Sequence, residues 1–530
     1  VLLVLLAALL HRLRRPGIVL VILLAGLLSV AALAAWVAWR RRARLPRGGG
    51  QTGWARAADL APLVVREHPG DRVPLGRHGR RLLAAETHQS VLVVGPSQSG
   101  KTTGLAIPAM RHWEGPVIAT SVKSDLLRDT IEWRRGRGPV SVYDPTGTAG
   151  GSPTLAPGEL EGWSPLLASG TWPGARRIAA AMCSVAAADH GMEDAGFWYS
   201  AAEKLLAPLL FAAATAGASM SDVVRWIDDE EVAEPFLALE LAAVPDATRA
   251  ARTSFSREDR QRASVFSTAE TVVAGFADPG VAASTFRASL DPRTLVERRP
   301  DGGVRTLYCC APAREQERLR PVFTALVREA MDAAFEAAAR AGGRLEPGLL
   351  MVLDEAANVA PLAELDGIVS TAAGHGITLL TVWQDLAQIE ARYGRRWSTI
   401  VNNHRAKVVC GGISDALTLD RLEQLIGEHD AVEVSRTVAG DGTASRTETA
   451  GRRRTASAGS LRRVPAGEAV LVYGSLPPAA ISLMPEPSAA SEPASPPGRS
   501  RLPGLLSRLR RSGRAEPQER PLATGAPARR

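Results

Sequence analysis

The sequence predicts an α/β fold in which a sheet carries a phosphate-binding loop. Three observations predict it. A short apolar run at residues 90–94 leads straight into a glycine-rich loop and then a helix-compatible stretch. A second apolar run at 349–353 ends in the acidic pair Asp354-Glu355, and about 200 alanine-rich residues of helical spacing lie between the two.

The chain has 530 residues and a mass of 56.1 kDa, more than one core usually organises, so two or three packed units with tails are expected. With 45% hydrophobic and 22% charged residues it matches neither a disordered nor an all-membrane composition. Its four cysteines, Cys183, Cys309, Cys310 and Cys410, fit no disulfide framework and no metal-ligand spacing. A reducing compartment follows, and zinc or secreted-scaffold readings drop out. The net charge of +8 is concentrated at the ends: residues 1–50 carry +8, residues 485–530 carry +5, and residues 51–484 carry −5. A nucleic acid handled by the central part would therefore meet local basic patches and no global field.

Residues 18–39 are free of charge, and 22 residues at about 1.5 Å each span about 33 Å, enough to cross a bilayer core. Trp36 and Trp39 stand where an interfacial belt is expected, and Arg40, Arg41, Arg42 and Arg44 follow as a cytoplasmic anchor. A transmembrane helix within an anchor at 1–50 is the reading, with the bulk of the chain inside the cell. The competing reading is a cleaved signal, suggested by Ala32-Leu33-Ala34.

The loop after the first strand reads Gly95-Pro96-Ser97-Gln98-Ser99-Gly100-Lys101-Thr102, followed by Thr103. It fits G-x-x-x-x-G-K-[ST] in the strand, loop, helix order the motif requires. Glycines let backbone N–H groups converge on phosphate oxygens, and the helix N-terminus adds partial positive charge. Lys101 would reach the β and γ phosphates of ATP, and Thr102 would supply a Mg²⁺ ligand. Hydrolysis needs a second acidic strand end. Asp354 is the candidate for holding Mg²⁺ and Glu355 for polarising the attacking water as general base. Gln384 falls at the carboxyl end of another buried-type run, 377–382, on the edge where ligands of open α/β sheets sit. It is the candidate γ-phosphate sensor, the alternative being an ordinary helix-capping residue.

Taken together these residues resemble the type IV secretion coupling proteins of the TraG/TraD type, the membrane-anchored ATPases of bacterial conjugation. The resemblance extends over about 50–484. It includes the segments beginning at Gly53-Trp54 and Leu75-Gly76-Arg77, and the strand Val117-Ile118-Ala119-Thr120 with its sequel Ser121 to Leu126. It also takes in Tyr143-Asp144-Pro145, Trp163-Ser164-Pro165-Leu166, Phe197-Trp198 and the run from Leu461 to Ala469. The resemblance implies a RecA-like nucleotide-binding sheet at 51–164 and 291–484, interrupted by an inserted all-helical domain at 165–290. It further implies a homo-hexameric ring at the inner membrane that delivers DNA, with a relaxase attached, to a secretion channel. Two departures stand out. The turn before the Gln384 strand, Thr371 to Gly376, has His375 as its only ionisable group, leaving Arg392, Arg395, Arg396 and Arg405 as candidate arginine fingers. Lys123 is followed by Ser124 where the family usually has glycine. The alternatives are a chromosome DNA translocase of the FtsK type, disfavoured because a short Pro/Arg-rich tail stands where a winged-helix reader would be, and a nucleotide-gated docking receptor without robust hydrolysis.

Among the remaining segments, 304–310, 406–411 and 140–142 read as strands, and 316–341 and 416–427 as helices. Cys309 and Cys310 read as small buried residues. Residues 438–460, rich in Gly, Ser, Thr and Ala, read as a mobile loop between strands, and 485–530 as a disordered tail.

Overall fold

The computed structural model describes residues 53–484 except 67–68, 123, 148–154, 190–194, 311–312 and 439–443. The expected membrane anchor at 1–50, Lys123 and the tail at 485–530 lie outside the described residues. Among the described residues no helix is long and apolar enough to cross a membrane.

The first strands are β1 (Val64–Val65), β2 (Pro74–His78), β3 (Arg81–Ala84), β4 (Val91–Val94), β5 (Val117–Ser121) and β6 (Val140–Tyr143). After a long helical interval come β7 (Thr306–Cys310), β8 (Leu349–Leu353), β9 (Ile377–Trp383) and β10 (Ala406–Cys410). The chain closes with β11 (Glu428–Val438), β12 (Ala444–Arg454), β13 (Glu468–Tyr473) and β14 (Ala479–Ser482). Seven strands run parallel in the order β10-β4-β9-β8-β5-β7-β6. Beyond β10 the same sheet continues antiparallel through β13, β14, β2, β3 and β1. The segments after Gly53 and around Leu75-Gly76-Arg77 are thus an antiparallel extension of the sheet. Gly76 is obligatory there: its φ is +125°, and a Cβ would lie 2.5 Å from the Ser482 carbonyl oxygen.

The parallel strands are buried on both faces, so they read as unbroken apolar runs. Alternate residues divide between two cores. Leu92, Val94, Met351 and Leu379 join one, while Val91, Val93, Leu350 and Leu380 join the other. Cys309 and Cys310 point into opposite cores for the same reason, which removes any joint role for the pair.

Eight α-helices, from Leu166–Ser169 to Pro279–Phe286, fill the interval between β6 and β7 among the described residues. Their apolar faces enter the first core: Leu205, Leu206, Leu209, Leu210 and Phe266 are buried together with Tyr143 and Leu353 from the sheet. Met220–Asp228 begins with a capping box between Ser219 and Asp222, which satisfies two orphan backbone donors. The long helix Gln316–Arg340 bridges the layers, Phe323 meeting Tyr143 edge-on at 5.5 Å between centroids.

Behind the phosphate loop, Arg134 is fully buried. Its guanidinium donates to Thr306 Oγ1 at 2.8 Å, the Trp113 carbonyl at 2.6 Å and the Gly115 carbonyl at 2.7 Å. Those carbonyls follow the helix Ile107–His112, so one cation ties the far end of that helix to β7. Burial pulls its pKa down to about 10, which leaves it charged at neutral pH.

One expectation is corrected. Most of the loop expected at 438–460 is strand: β11 and β12 pair antiparallel through eleven positions, from Glu428↔Arg454 to Val438↔Ala444, and Ala458–Arg462 is a helical turn. The sequence signal was masked because β12 mixes Ala, Ser, Thr, Gly and charged residues without an apolar period, whereas backbone ladder bonds need no such period.

Candidate functional site

Parallel strands deliver their carboxyl ends to one edge, and β4, β9 and β8 are consecutive there. Val94 is level with Trp383, and Leu353 with Thr381. The phosphate loop, Gln384 and the Asp354-Glu355 pair therefore leave neighbouring strands.

The loop's shape is set by two close-range facts. A Cβ on Gly95 would fall 2.7 Å from the Cys410 Cβ and 2.8 Å from Ser99 Oγ, so only glycine fits. Gln98 and Gly100 take φ of +64° and +85°, turning successive peptide groups as a phosphate nest requires. Pro96 is half-buried, Ser97 and Gln98 are exposed, and Ser99 is buried. The Gly95 N–H donates to the Trp383 carbonyl at 3.1 Å, which ties the loop to β9. Lys101 is only 9% exposed, and its ammonium donates to the Gly95 and Pro96 carbonyls at 2.5 and 2.6 Å. A π-helical turn, Thr102–Ala106, opens the following helix with Thr102 and Thr103 half-buried at its start.

Thr102 Oγ1 donates to Asp354 Oδ2 at 3.2 Å, joining the two motifs directly. Asp354 is buried, and burial pushes its carboxyl up to about 7. The negative charges of Asp125 and Glu355 add to that push, while the Thr102 hydroxyl and the Lys101 ammonium oppose it. Glu355 is half-buried and holds φ at +53°, a left-handed conformation that is strained for a residue with a side chain. Its Oε2 accepts from Asn358 Nδ2 at 3.2 Å, and Arg320 Nε in turn donates to the Asn358 carbonyl at 3.2 Å.

Gln384 is half-buried at the tip of β9, its N–H donating to Gln388 Oε1 at 3.0 Å. Asp385, the next residue, is the cap of helix Leu386–Tyr393 through the Gln388 N–H at 2.7 Å. Beneath it Trp383 Nε1 donates to Thr381 Oγ1 at 3.0 Å, and Thr381 meets His404 Nε2 at 3.0 Å. His404 Nδ1 lies 2.7 Å from the Ile400 carbonyl, and burial pulls this imidazole down to about 4. A neutral ring donating from Nδ1 and accepting at Nε2 satisfies the whole chain of contacts.

The structure thus brings Lys101, Thr102, Asp354, Glu355 and Gln384 to one edge. Sequence reasoning assigned no role to Asp125 or Asn358. Asp125 opens the helix Asp125–Arg135 four residues past the end of β5, the neighbour of β8, and strand order is what gives that placement meaning. Among the candidate fingers, Arg405 leaves the edge altogether: it precedes β10, pairs with Glu86 at 2.9 Å and stacks over Tyr473. Arg396 pairs with Asp366 at 3.1 Å and Arg392 donates to the Val185 carbonyl at 3.3 Å, while Arg395 is exposed.

Comparison with known proteins gives a consistent family. Residues 59–478 match the model of the family described as type IV secretory system conjugative DNA transfer. A conjugal transfer protein TraG of Escherichia coli is 25% identical over 382 residues, covering 67% of this chain and 58% of that protein. A second Escherichia coli TraG is 25% identical over 342 residues, covering 60% and 52%. The matched part thus spans little more than half the length of these relatives. Among solved structures, the bacterial conjugative coupling protein TrwB lacking its first 70 residues superposes with a TM-score of 0.61 at 18% identity, over 83% of this chain and 94% of that one. TrwB in complex with ADP and Mg²⁺ gives 0.54 at 19% identity, over 75% and 86%.

Proposed function

The chain belongs to the type IV secretory system conjugative DNA transfer family, and from that premise we propose that it is a coupling ATPase that moves DNA toward a secretion channel. One observation carries the enzymatic part: the contact between Thr102 and Asp354, with Glu355 next in sequence and Gln384 on the strand between the two motifs. TrwB, whose fold this chain shares, is known in complex with ADP and Mg²⁺ and with an ATP analogue.

In this reading backbone N–H groups of the loop after Pro96, at 97–101, and the Lys101 ammonium hold the triphosphate. The Thr102 hydroxyl and the Asp354 carboxylate are converging oxygen donors of the kind Mg²⁺ takes, and a cation would stabilise the ionised form that burial disfavours. Bound there, Mg²⁺ would neutralise charge developing on the phosphates. Glu355, steadied by Asn358, accepts a proton from the attacking water. Gln384 reports the state of the γ-phosphate to helix Leu386–Tyr393 through the short connection that Asp385 caps. The helices between β6 and β7 serve as the inserted domain that contacts substrate. Family resemblance supports the remaining parts of the proposal: a homo-hexamer anchored in the inner membrane through residues 18–39, receiving DNA with its attached relaxase.

The test is ATP turnover by the full chain. Lys101→Ala should abolish nucleotide binding and turnover together, while Glu355→Gln should keep binding and lose about 10²–10⁴ in rate. Unchanged turnover in Lys101→Ala would refute the site.

A further inference from the structure

Leu483 and Met484 follow β14 directly, and they reach from the antiparallel part of the sheet to the helix that opens behind the phosphate loop. The Leu483 N–H donates to the Gly467 carbonyl at 2.8 Å, so the turn before β13 fixes its backbone. Its side chain is buried in the same core as Leu105, Leu471 and Ile481.

Two glycines receive that side chain. A Cβ on Gly104 would fall 2.8 Å from the Leu483 Cβ and 3.2 Å from its Cδ1, and a Cβ on Gly100 would fall 3.4 Å from the same Cδ1. Gly100 is already required by its φ of +85°. Gly104 has no left-handed φ to explain it and sits inside a helical turn, where glycine is a poor former. The three atoms nearest to a Cβ there all belong to Leu483, so the glycine is accounted for by that contact.

The backbone repeats the attachment. In an α-helix the Gly104 carbonyl would accept from residue 108, which is proline and has no N–H to give. The Met484 N–H donates to it at 3.3 Å. The Gly104 N–H in turn donates to the Gly100 carbonyl at 2.8 Å, so what holds Gly104 also holds the residue before Lys101. The turn gripped in this way, Thr102–Ala106, is π-helical, a rare geometry found frequently at functional sites.

We infer that Leu483, with the Met484 amide, is a positioning residue for nucleotide binding: it holds the first helical turn in the register that aims the amides at 97–101 and the Lys101 ammonium at phosphate. This rests on the reading in which the loop holds a triphosphate. Misplacing a group by about 1 Å can cost on the order of 10²-fold, so a small slip of this turn is enough to matter. The antiparallel strands thereby acquire a task, since β14 carries the clamp and is itself held between β13 and β2.

The experiment titrates the full chain with fluorescent N-methylanthraniloyl ADP and Mg²⁺, and follows backbone hydrogen exchange of the nucleotide-free protein. Gly104→Ala, which drives the clamp away, should weaken binding by about tenfold or more, the scale of one lost hydrogen bond to a charged phosphate. Leu483→Val, a milder change, should weaken it less, and both should speed exchange at 98–104 relative to β8 and β9. Leu483→Gly should also weaken binding, yet Gly104→Ala/Leu483→Gly should lose less than the product of the two single losses, because the added methyl no longer meets a side chain. Urea midpoints establish that each variant is folded. A leucine that only filled the core would lower the midpoint and leave the affinity of the folded protein unchanged, and that result overturns the inference, as do single losses that simply multiply. A parent that binds no labelled ADP, or Lys101→Ala binding it as well as the parent, overturns the underlying reading together with the inference. Parent-like affinity in the folded clamp variants, beside a parent that binds and a Lys101→Ala that does not, overturns the inference alone.

Discussion

Thr102 and Asp354 are joined by a 3.2 Å hydrogen bond although 252 positions separate them in the chain. The contact exists because the helix after β4 starts beside the end of β8, with β9 filling the gap in the sheet. It makes Asp354 sensitive to anything that changes the phosphate loop, and several expected outcomes follow from the residues around it.

Asp354 should make nucleotide-free stability fall with rising pH. Its folded pKa is raised to about 7 from an ordinary 3.8. Below pH 4 both folded and unfolded forms are protonated and the group costs nothing. Between pH 4 and 7 the unfolded chain ionises while the folded site resists, so stability declines, and above pH 7 the loss is complete. Asp354→Asn should flatten that slope in urea titrations and raise stability at pH 8 by about 1–3 kcal/mol. A variant with the parent's slope would show that the carboxyl is not desolvated.

Asn358→Ala should lower the maximal rate of ATP turnover and leave KM nearly unchanged. A hydrogen bond to a charged group contributes about 1.5–3 kcal/mol, which corresponds to roughly ten- to a hundredfold in rate if it is fully expressed in orienting Glu355. Steady-state kinetics decides this, with a KM-only effect counting against the orienting role.

Arg134→Met should destabilise the fold by about 3–5 kcal/mol, since it strips hydrogen bonds from the Trp113 and Gly115 carbonyls in a site closed to water. Arg134→Lys should rescue little, because a single ammonium does not span the carbonyls and Thr306 as the planar fork does. Urea midpoints for both variants provide the comparison.

The thiols should be inert in the native protein. All four cysteines are buried. Burial raises Cys410 to about 11 and Cys310 to about 12, and raises Cys183 and Cys309 further. A thiol reagent at pH 8 should modify none of them until guanidinium unfolds the chain, when four react. Rapid native labelling of Cys309 or Cys310 would contradict the strand placement of that pair.

Much of the site was legible from local chemistry. Gly95, Gly100 and Lys101 announce a phosphate loop because few other uses require two glycines and a lysine at that spacing, and Asp354-Glu355 stands out as a charge pair ending an apolar run. Asn358 was not legible: an asparagine three residues after a glutamate gains meaning only when Glu355 adopts φ of +53° and turns its carboxylate back. Asp125 was equally silent, since its effect on Asp354 arises from the adjacency of β5 and β8. Strand β12 was misread as loop because Ala444–Arg454 has no apolar period, so its identity rests on the ladder bonds it makes to β11.

By itself the sequence pointed to nucleotide chemistry, because a G-x-x-x-x-G-K-T loop and a strand-terminal acid pair are defined by residue types at short, fixed spacings. Only the tertiary structure decided which strands are neighbours and which face receives the helices between β6 and β7. The reason is physical: local steric rules and periodicity act over a few residues, whereas strand order depends on how whole apolar faces are buried against one another.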